Sequence, residues 1–135
     1  MIVRNKKADL EYNFEYEIEA GLVLKPDEVK SIRLSSPSIK EAYGTVIKRE
    51  VFIRNLNLSR AKDSNRSKKL LLHRKQINKI IGLLSINHSN IIIIREFYDK
   101  AGIFKVLIGI GQKLKLYDKR EKIKQKEMKH TQNYV

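Results

Sequence analysis

The chain contains no cysteine, which excludes a disulfide framework, a thiolate nucleophile and a zinc site built on cysteine. It has no long apolar run either: the longest purely apolar segment, Ile91–Ile94, is far too short to span a bilayer. The N-terminal residues lack the apolar stretch of a signal peptide. We therefore expect a cytoplasmic protein that does not bind membranes.

Histidine is scarce, and the three histidines, His73, His88 and His130, lie too far apart to form the HxxxH or HxxE spacing of a metal site. No GxSxG, Walker A or GxGxxG motif occurs. Gly109-Ile110-Gly111 is only a partial match to the last of these, because no helical pattern follows it. The sequence thus predicts no metal, no cofactor and no enzymatic activity.

Positive charge is abundant and unevenly distributed. Lys and Arg total 29 against 15 acidic residues, a net charge of +14, which suits a phosphate-rich partner. Residues 1–59 contain 10 basic and 9 acidic residues, whereas residues 60–135 contain 19 and 6. A codon bias toward Lys, Ile and Asn would give a similar composition, so charge alone does not establish nucleic-acid binding. At 135 residues the chain has room for one hydrophobic core.

The first half of the chain shows the periodicities of strands and one short helix. Aromatic and aliphatic residues alternate with polar residues between Tyr12 and Leu24, as in a half-buried strand. Lys25–Arg33 starts with proline and acids and ends with a cation, which favours a short helix. Ile39–Ile47 and Val51–Leu58 predict a hairpin around a charged three-residue turn. Its core candidates are Tyr43, Val46, Phe52 and Leu56.

The second half begins with a mobile loop at residues 59–68, which contain no large apolar residue. Apolar residues at helical spacing from Leu70 to Leu84 then predict an amphipathic helix. Ile91–Tyr98 and Ile103–Ile110 predict a second hairpin, with Gly102 available for a positive φ. Residues 113–129 contain eight basic residues and too few apolar ones to fold alone.

This order of elements predicts a mainly β protein with two helices (α+β). Five or six antiparallel strands, with a helix between the third and the fourth, match an OB-like antiparallel β-barrel. We assign residues 1–117 to the barrel. Residues 118–135 form a basic C-terminal tail that we expect to be disordered in the free protein.

Two segments are candidate sites. Glu15, Glu17 and Glu19 share one strand face, which is compatible with a catalytic carboxylate pair, with a solvated outer face, or with a carboxylate that reads base edges. In a basic protein we favour the last. The leucine triplet Leu70–Leu72 follows two lysines, and a helix starting there leaves at least one leucine exposed. It is either a frayed helix start under a loop or an apolar platform for RNA.

Five segments, in this order, resemble the small protein B (SmpB) family. They are Asn5-Lys6-Lys7-Ala8, Glu19-Ala20-Gly21, Glu28-Val29-Lys30-Ser31-Ile32-Arg33, Lys69-Leu70-Leu71-Leu72-His73 and Tyr117-Asp118-Lys119-Arg120-Glu121. The resemblance implies a non-catalytic RNA-binding adaptor with an OB-like barrel. Such an adaptor binds the tRNA-like domain of transfer-messenger RNA (tmRNA, or SsrA RNA) and delivers it to stalled ribosomes in trans-translation.

The resemblance also implies site residues and partners. Positions for tmRNA binding are Asn5, Lys6, Lys7, Glu19, Lys69, Leu71 and His73. Positions for the mRNA channel and decoding centre of the ribosome, where the tail becomes helical, are Tyr117, Asp118, Lys119, Arg120, Lys122 and Lys124. The implied partners are tmRNA, the small ribosomal subunit with its rRNA, and elongation factor Tu indirectly through tmRNA. We expect a ribosome-associated monomer in the cytoplasm, without a cofactor.

Two alternatives belong to other classes of protein. A ribosomal protein or another OB-fold translation factor would bind rRNA without preferring tmRNA. A small nuclease using the acidic strand would cleave RNA in a metal-dependent reaction, which substitution of Glu15 or Glu19 would abolish.

Overall fold

The computed structural model describes residues 1–132, apart from the side chains of residues 116–118 and 128–132. Seven strands and four helices occur in this range. In chain order they are β1 (Ile2–Arg4), α1 (Lys6–Glu11), β2 (Tyr12–Leu22), α2 (Pro26–Leu34), β3 (Tyr43–Ile47), β4 (Glu50–Arg54), β5 (Lys68–Leu71), α3 (Arg74–Ile86), β6 (Ile91–Lys100), β7 (Ile103–Lys113) and α4 (Leu116–Gln132).

All strand pairings are antiparallel, and the strand order is β1-β6-β3-β4-β5-β2-β7. Strand β7 pairs with β6 as well as with β2, so the pairings from β6 through β3, β4, β5, β2 and β7 return to β6. The mainly β, antiparallel class predicted from the sequence is confirmed. The predicted number of two helices is wrong, because α1 and α4 accompany α2 and α3 in the described residues.

The longest pairings join β2 to β7 and β7 to β6. The turn between β6 and β7 places Ala101 and Gly102 at φ 52° and 83°, the left-handed pair that a two-residue hairpin turn needs. The prediction of a positive φ at Gly102 is confirmed. At Gly111 a Cβ would meet Asn13 O and lie 2.7 Å from Phe14 Cα, so the close approach of β2 requires glycine there.

The core packs on one face of the sheet and includes Ile77 and Ile80 of α3, and its strand side chains come from alternate positions. In β4 these are Val51 and Ile53, both 0% exposed, whereas Phe52 lies on the other face and is half-buried. The prediction of Phe52 as a core residue is therefore wrong, and so is that of Tyr43, which is 39% exposed. The prediction of Leu56 is confirmed.

The error at Phe52 has its origin in the turn. The sequence predicts three turn residues, but Ile47 pairs directly with Glu50, which leaves a two-residue turn with φ 50° at Lys48. A shift of one residue moves every side chain to the opposite face of its strand. The cross-strand partner of Val46 is consequently Val51 instead of Phe52.

The leucine triplet does not start a helix. Its first two leucines belong to β5, and α3 begins later, at Arg74. Strand alternation buries Leu70 completely and leaves Leu71 57% exposed. The prediction of at least one exposed leucine is confirmed, although the element that exposes it is a strand.

The loop predicted to be mobile is tied to α2 by buried charges. Glu28 is 1% exposed, and its Oε1 accepts a hydrogen bond from Arg66 Nη2 at 2.6 Å. Lys68 is 0% exposed, donates to Leu56 O at 2.9 Å and lies 3.9 Å from Glu28 Oε2. Burial lowers the pKa of Lys68. Burial opposes ionisation of Glu28 as well, but hydrogen bonds, first that from Arg66, outweigh it and lower the pKa of this carboxyl. We call Glu28, Arg66 and Lys68 the buried charge cluster.

Helix α4 lies against α1 and the start of β2. Lys119 Nζ is 2.9 Å from Glu11 Oε1, and Lys122 Nζ donates to Tyr12 O at 2.6 Å. The bond from Lys119 lowers the pKa of Glu11. The domain boundary at residue 117 and disorder of the free tail remain predictions. Within the described residues, no helix is both long and apolar enough to cross a membrane.

Candidate RNA interface

One row of register partners crosses five strands on the outer face of the sheet. Ile2 of β1 pairs with Tyr98, Tyr98 with Lys105, Lys105 with Gly21, and Gly21 with Leu71 of β5. Directly opposed residues share a face. The two ends of this outer row are apolar and well exposed, 61% at Ile2 and 57% at Leu71. The outer row therefore presents apolar and cationic groups to solvent on a rigid support.

Gly21 shapes the part of the outer row next to Leu71. A Cβ at this position would lie 3.4 Å from Leu71 Cδ1 and 3.7 Å from Lys105 Nζ. Because the glycine has no side chain, the leucine and the lysine both approach the space above its backbone. An apolar contact surface and a cation thus lie side by side, as binding of an unstacked base and its phosphate requires.

Glu19 lies two residues before Gly21 on the same face of β2. The Tyr98 hydroxyl donates to Glu19 Oε2, and Lys100 Nζ lies 3.4 Å from Oε1. The bond from Tyr98 is the main reason why the pKa of Glu19 is lowered, and burial raises the pKa of Tyr98. Glu19 is therefore an oriented, ionised acceptor, and its side chain remains 37% exposed. Such a carboxylate can accept hydrogen bonds from base amino groups.

Lys69 and His73 flank Leu71 along the chain. Lys69 is on the same face of β5 as Leu71, 44% exposed, with Nζ 3.9 Å from Glu50 Oε2. His73 is exposed at the start of α3, where its N–H donates to Gln76 Oε1 at 2.8 Å. Lys69 and Leu71 thus share one exposed strand face, and His73 follows it as an exposed residue at the start of α3.

Asn5 serves the protein's own structure. It is 7% exposed; its Oδ1 accepts from Ala8 N at 3.1 Å, and its Nδ2 donates to Ile94 O at 3.2 Å. These bonds cap α1 and join it to β6. The RNA contact predicted for Asn5 remains a prediction, and capping is a second role for this residue. Lys6 and Lys7, on the helix that Asn5 caps, are exposed.

The remaining carboxylates of the acidic strand have separate surroundings. Glu17 forms an ion pair with Arg95, whose guanidinium lies 4.7 Å from the centre of the Phe14 ring. Glu15 is exposed. Among the described residues, no three or more His, Asp or Glu side chains are grouped so that they could hold a metal ion. Glu17 and Glu19 thus have different partners, Arg95 for the first and Tyr98 and Lys100 for the second.

The tail residues lie apart from the outer row. Lys119 and Lys122 contact Glu11 and the backbone of Tyr12, whereas Arg120 and Lys124 are exposed. The side chains of Tyr117 and Asp118 are outside the described part of the structure. The ribosome contacts of all six tail positions remain predictions.

The sequence alone did not identify Ile2, Tyr98, Lys100 and Lys105 as members of this surface. A signal existed for Lys105: Phe104, Val106 and Ile108 alternate as inward residues, so the residues between them face outward. The alternation does not indicate that β2 and β6 flank this strand. That information comes from the pairing alone.

A small basic β protein with exposed apolar groups bordered by cations is typical of the proteins that bind single-stranded or looped RNA. The chain belongs to the SmpB family, because the family model described as "SmpB protein" matches residues 2–134.

Curated relatives carry the name SsrA-binding protein. One from Rickettsia bellii (strain OSU 85-389) is 39% identical over 140 residues, which cover 98% of this chain and 93% of the relative. One from Bacillus pumilus (strain SAFR-032) is 41% identical over 136 residues, covering 96% and 86%. The fold is similar to a solved chain described as "tmRNA-SmpB: a journey to the center of the bacterial ribosome". That likeness has a TM-score of 0.70 and 25% identity, and it covers 90% of this chain and 94% of the other.

Proposed function

We propose that the protein binds SsrA RNA, through its tRNA-like domain, and delivers it to stalled ribosomes in trans-translation. Relatives at 39% and 41% identity over nearly the whole chain support this function, because they are named SsrA-binding proteins. The observation that carries the proposal is the convergence of Glu19 and Leu71, far apart in the sequence, on one exposed surface around Gly21.

Each group on this surface has a distinct part in RNA recognition. Leu71 supplies apolar area on which an unstacked base rests, at about 1–3 kcal/mol per stacked base in comparable sites. Glu19, oriented by Tyr98, accepts a hydrogen bond from a base edge. Lys69, Lys105 and the lysines of α1 neutralise phosphates. This division suits the looped, single-stranded parts of a folded RNA.

The closed cycle of strand pairings supports a finer description of the fold as an OB-like barrel formed by β2 to β7, with β1 added outside. We propose that this barrel acts as a non-catalytic adaptor. Its proposed partners are tmRNA, the small ribosomal subunit and, through tmRNA, elongation factor Tu. It acts in the cytoplasm as a ribosome-associated monomer.

For the tail we propose contacts with rRNA in the vacant mRNA channel. The helical backbone of α4 places its cations along a rod suited to a channel lined by phosphates. Arg120 and Lys124 are exposed for such contacts, and Lys119 and Lys122 would leave Glu11 and Tyr12 to make theirs.

Sequencing of the RNA that co-purifies with the protein tests the proposed function. We expect tmRNA to be enriched above its share of total cellular RNA, relative to rRNA and tRNA. Recovery of bulk rRNA without tmRNA enrichment would contradict the proposal and favour a ribosomal protein. Cleavage of the bound RNA on addition of a divalent metal would favour the nuclease alternative.

A further inference from the structure

A second basic site lies beside β1. A cavity of about 290 Å³ opens between the β1–α1 segment and the connection from α2 to β3. Four of its lining residues are cationic, Arg4, Lys6, Lys7 and Lys40, and Ser38 adds a hydroxyl group. None of the lining residues is acidic. Two segments distant in the sequence thus converge to form a cavity of one charge sign.

Both walls of the cavity are held by hydrogen bonds that do not involve the cations. On one side, Asn5 donates through its backbone N–H to Arg95 O at 2.8 Å. On the other side, Ser38 exchanges two backbone hydrogen bonds with Asn57, at 3.1 and 3.2 Å, and Ile39 is 3% exposed. The backbone positions that carry the cationic side chains are therefore fixed before any ligand binds, which reduces the ordering cost of binding.

The charges of this cavity are only partly compensated, by the salt bridge of Arg4 with Glu96 and by the electrostatic attraction between Lys7 and Glu11. Among the described residues, Lys6, Lys7 and Lys40 form no salt bridge, and Arg4 pairs with Glu96 at 3.1 Å outside the lining. Like charges in one cavity repel each other, and a bound anion removes that repulsion. A phosphate group, with several acceptor oxygens, matches such a set of ammonium and guanidinium donors.

We propose that this cavity binds a phosphate of an RNA backbone, with Arg4 and Lys40 as contacts beside Lys6 and Lys7. The inference rests on the proposed function and deepens it. Arg4 belongs to a second row of register partners, in which Arg4 pairs with Glu96, Glu96 with Leu107, and Leu107 with Glu19. Each of these residues lies two positions from a residue of the outer row, so the cavity adjoins that row. In this proposal one RNA strand contacts Glu19 and reaches the cavity along the second row, and the cavity sets the direction of the bound strand.

The test compares Lys40→Gln with Lys30→Gln in the full-length protein. Lys30 is an exposed lysine of α2, so its replacement removes the same charge away from the cavity. We expect Lys40→Gln to weaken tmRNA binding about tenfold at low salt, as loss of one charge-assisted contact does. The slope of the logarithm of affinity against the logarithm of salt concentration should become shallower by about 0.7–0.9. Lys30→Gln should leave the slope unchanged.

Ethylation of RNA phosphates locates the contact. In the wild type, ethylation of one or two neighbouring phosphates should weaken binding, and Lys40→Gln should no longer respond at those positions. Equal losses for the two variants, with the same ethylation pattern as the wild type, would overturn the cavity proposal and indicate general electrostatic attraction. If the wild type showed no preference for tmRNA, the proposed function would fail. The comparison of Lys40→Gln with Lys30→Gln, repeated on the RNA that the protein does bind, would then decide the cavity proposal separately.

Discussion

The body of the protein, formed by β1 to β7, and its terminal helix α4 are held in place by different forces. The body encloses a core in which Val51, Ile53 and Ile108 are 0% exposed. Helix α4 is held by Lys119 and Lys122, and its residues 124–127 are exposed. Burial of apolar area is insensitive to moderate salt, whereas contacts of partly exposed charges are screened. The body should therefore act as a rigid binding surface and the helix as a detachable arm.

Removal of residues 118–135 should have the largest functional effect. We expect the body to remain folded and to keep most of its tmRNA affinity, because Glu19 and Leu71 are outside the deleted segment, while some general attraction disappears with the lysines. Peptide tagging on stalled ribosomes should be lost almost completely. The measurement is tmRNA affinity and tagging, side by side, for the full-length and truncated chains.

Two outcomes would break this separation of binding and rescue. Equal tagging by both chains would refute the role of the tail in the mRNA channel. Loss of both activities, with the body still folded, would place tmRNA binding in the tail itself.

Substitution of Glu28 should have the largest effect on stability. Glu28→Gln removes the anion of the buried charge cluster and leaves Arg66 and Lys68 without it. We expect a loss of about 3–5 kcal/mol in the free energy of unfolding, because an uncompensated buried charge remains. Urea denaturation measures this free energy. Glu15→Gln, at an exposed position, is the control, and its free energy of unfolding should lie within about 0.5 kcal/mol of the wild type. Similar stabilities for the two variants would show that the cluster does not fix the loop to α2.

The stabilisation by Glu28 should also depend on pH. Its pKa in the folded protein is lowered from the ordinary value of 4.5, so its ionised form favours folding. The contribution is fully present above pH 4.5 and is lost as the pH falls through the folded value. The difference in stability between the wild type and Glu28→Gln should shrink in that acidic range. A difference that grew on acidification would contradict the assignment.

Substitutions on the outer row and at the neighbouring Glu19 should weaken binding without unfolding the body. Leu71→Ala and Glu19→Gln should each lower tmRNA affinity by about 1–3 kcal/mol, the value of one stacking or base-edge contact. Leu34→Ala is a matched control, because this leucine is 63% exposed on α2. Affinity and thermal unfolding are measured together. If Leu71→Ala lowered stability as much as affinity, its role would be in packing.

The smallest effect is expected at the anchor of α4. Glu11→Gln removes the partner of Lys119. Glu11 is 15% exposed, but the lysine left unpaired is 33% exposed and can be hydrated, so we expect a change in stability of about 1 kcal/mol. In Glu11→Gln, amide hydrogen exchange should accelerate in residues 119–126 alone. The control is Glu121→Gln, which replaces an exposed acid on α4. Unchanged exchange would mean that other contacts hold the helix. Exchange at the unfolded rate in the wild type itself would confirm the predicted disorder of the free tail.

Local patterns in the sequence predicted several elements correctly. Alternation identified β2, and two hairpins were expected where β3–β4 and β6–β7 occur. Strand β5 was missed because two neighbouring leucines fit a helix start as well as a strand edge. Helix α1 was missed because six residues carry too little periodicity to detect. A lysine such as Lys68 is expected at the surface, and its burial depends on Leu56 and Glu28, far along the chain.

The sequence by itself determined the class of the fold, the excess of positive charge and the motifs that resemble one family, since these depend on composition and on neighbours along the chain. Only the tertiary structure decided that Gly21 lies between Leu71 and Lys105, and that Arg4 and Lys40 line one cavity. The physical reason is that periodicity specifies which face of a strand is buried but does not specify its partner. Partners are selected by the packing of the whole core and the closure of the sheet.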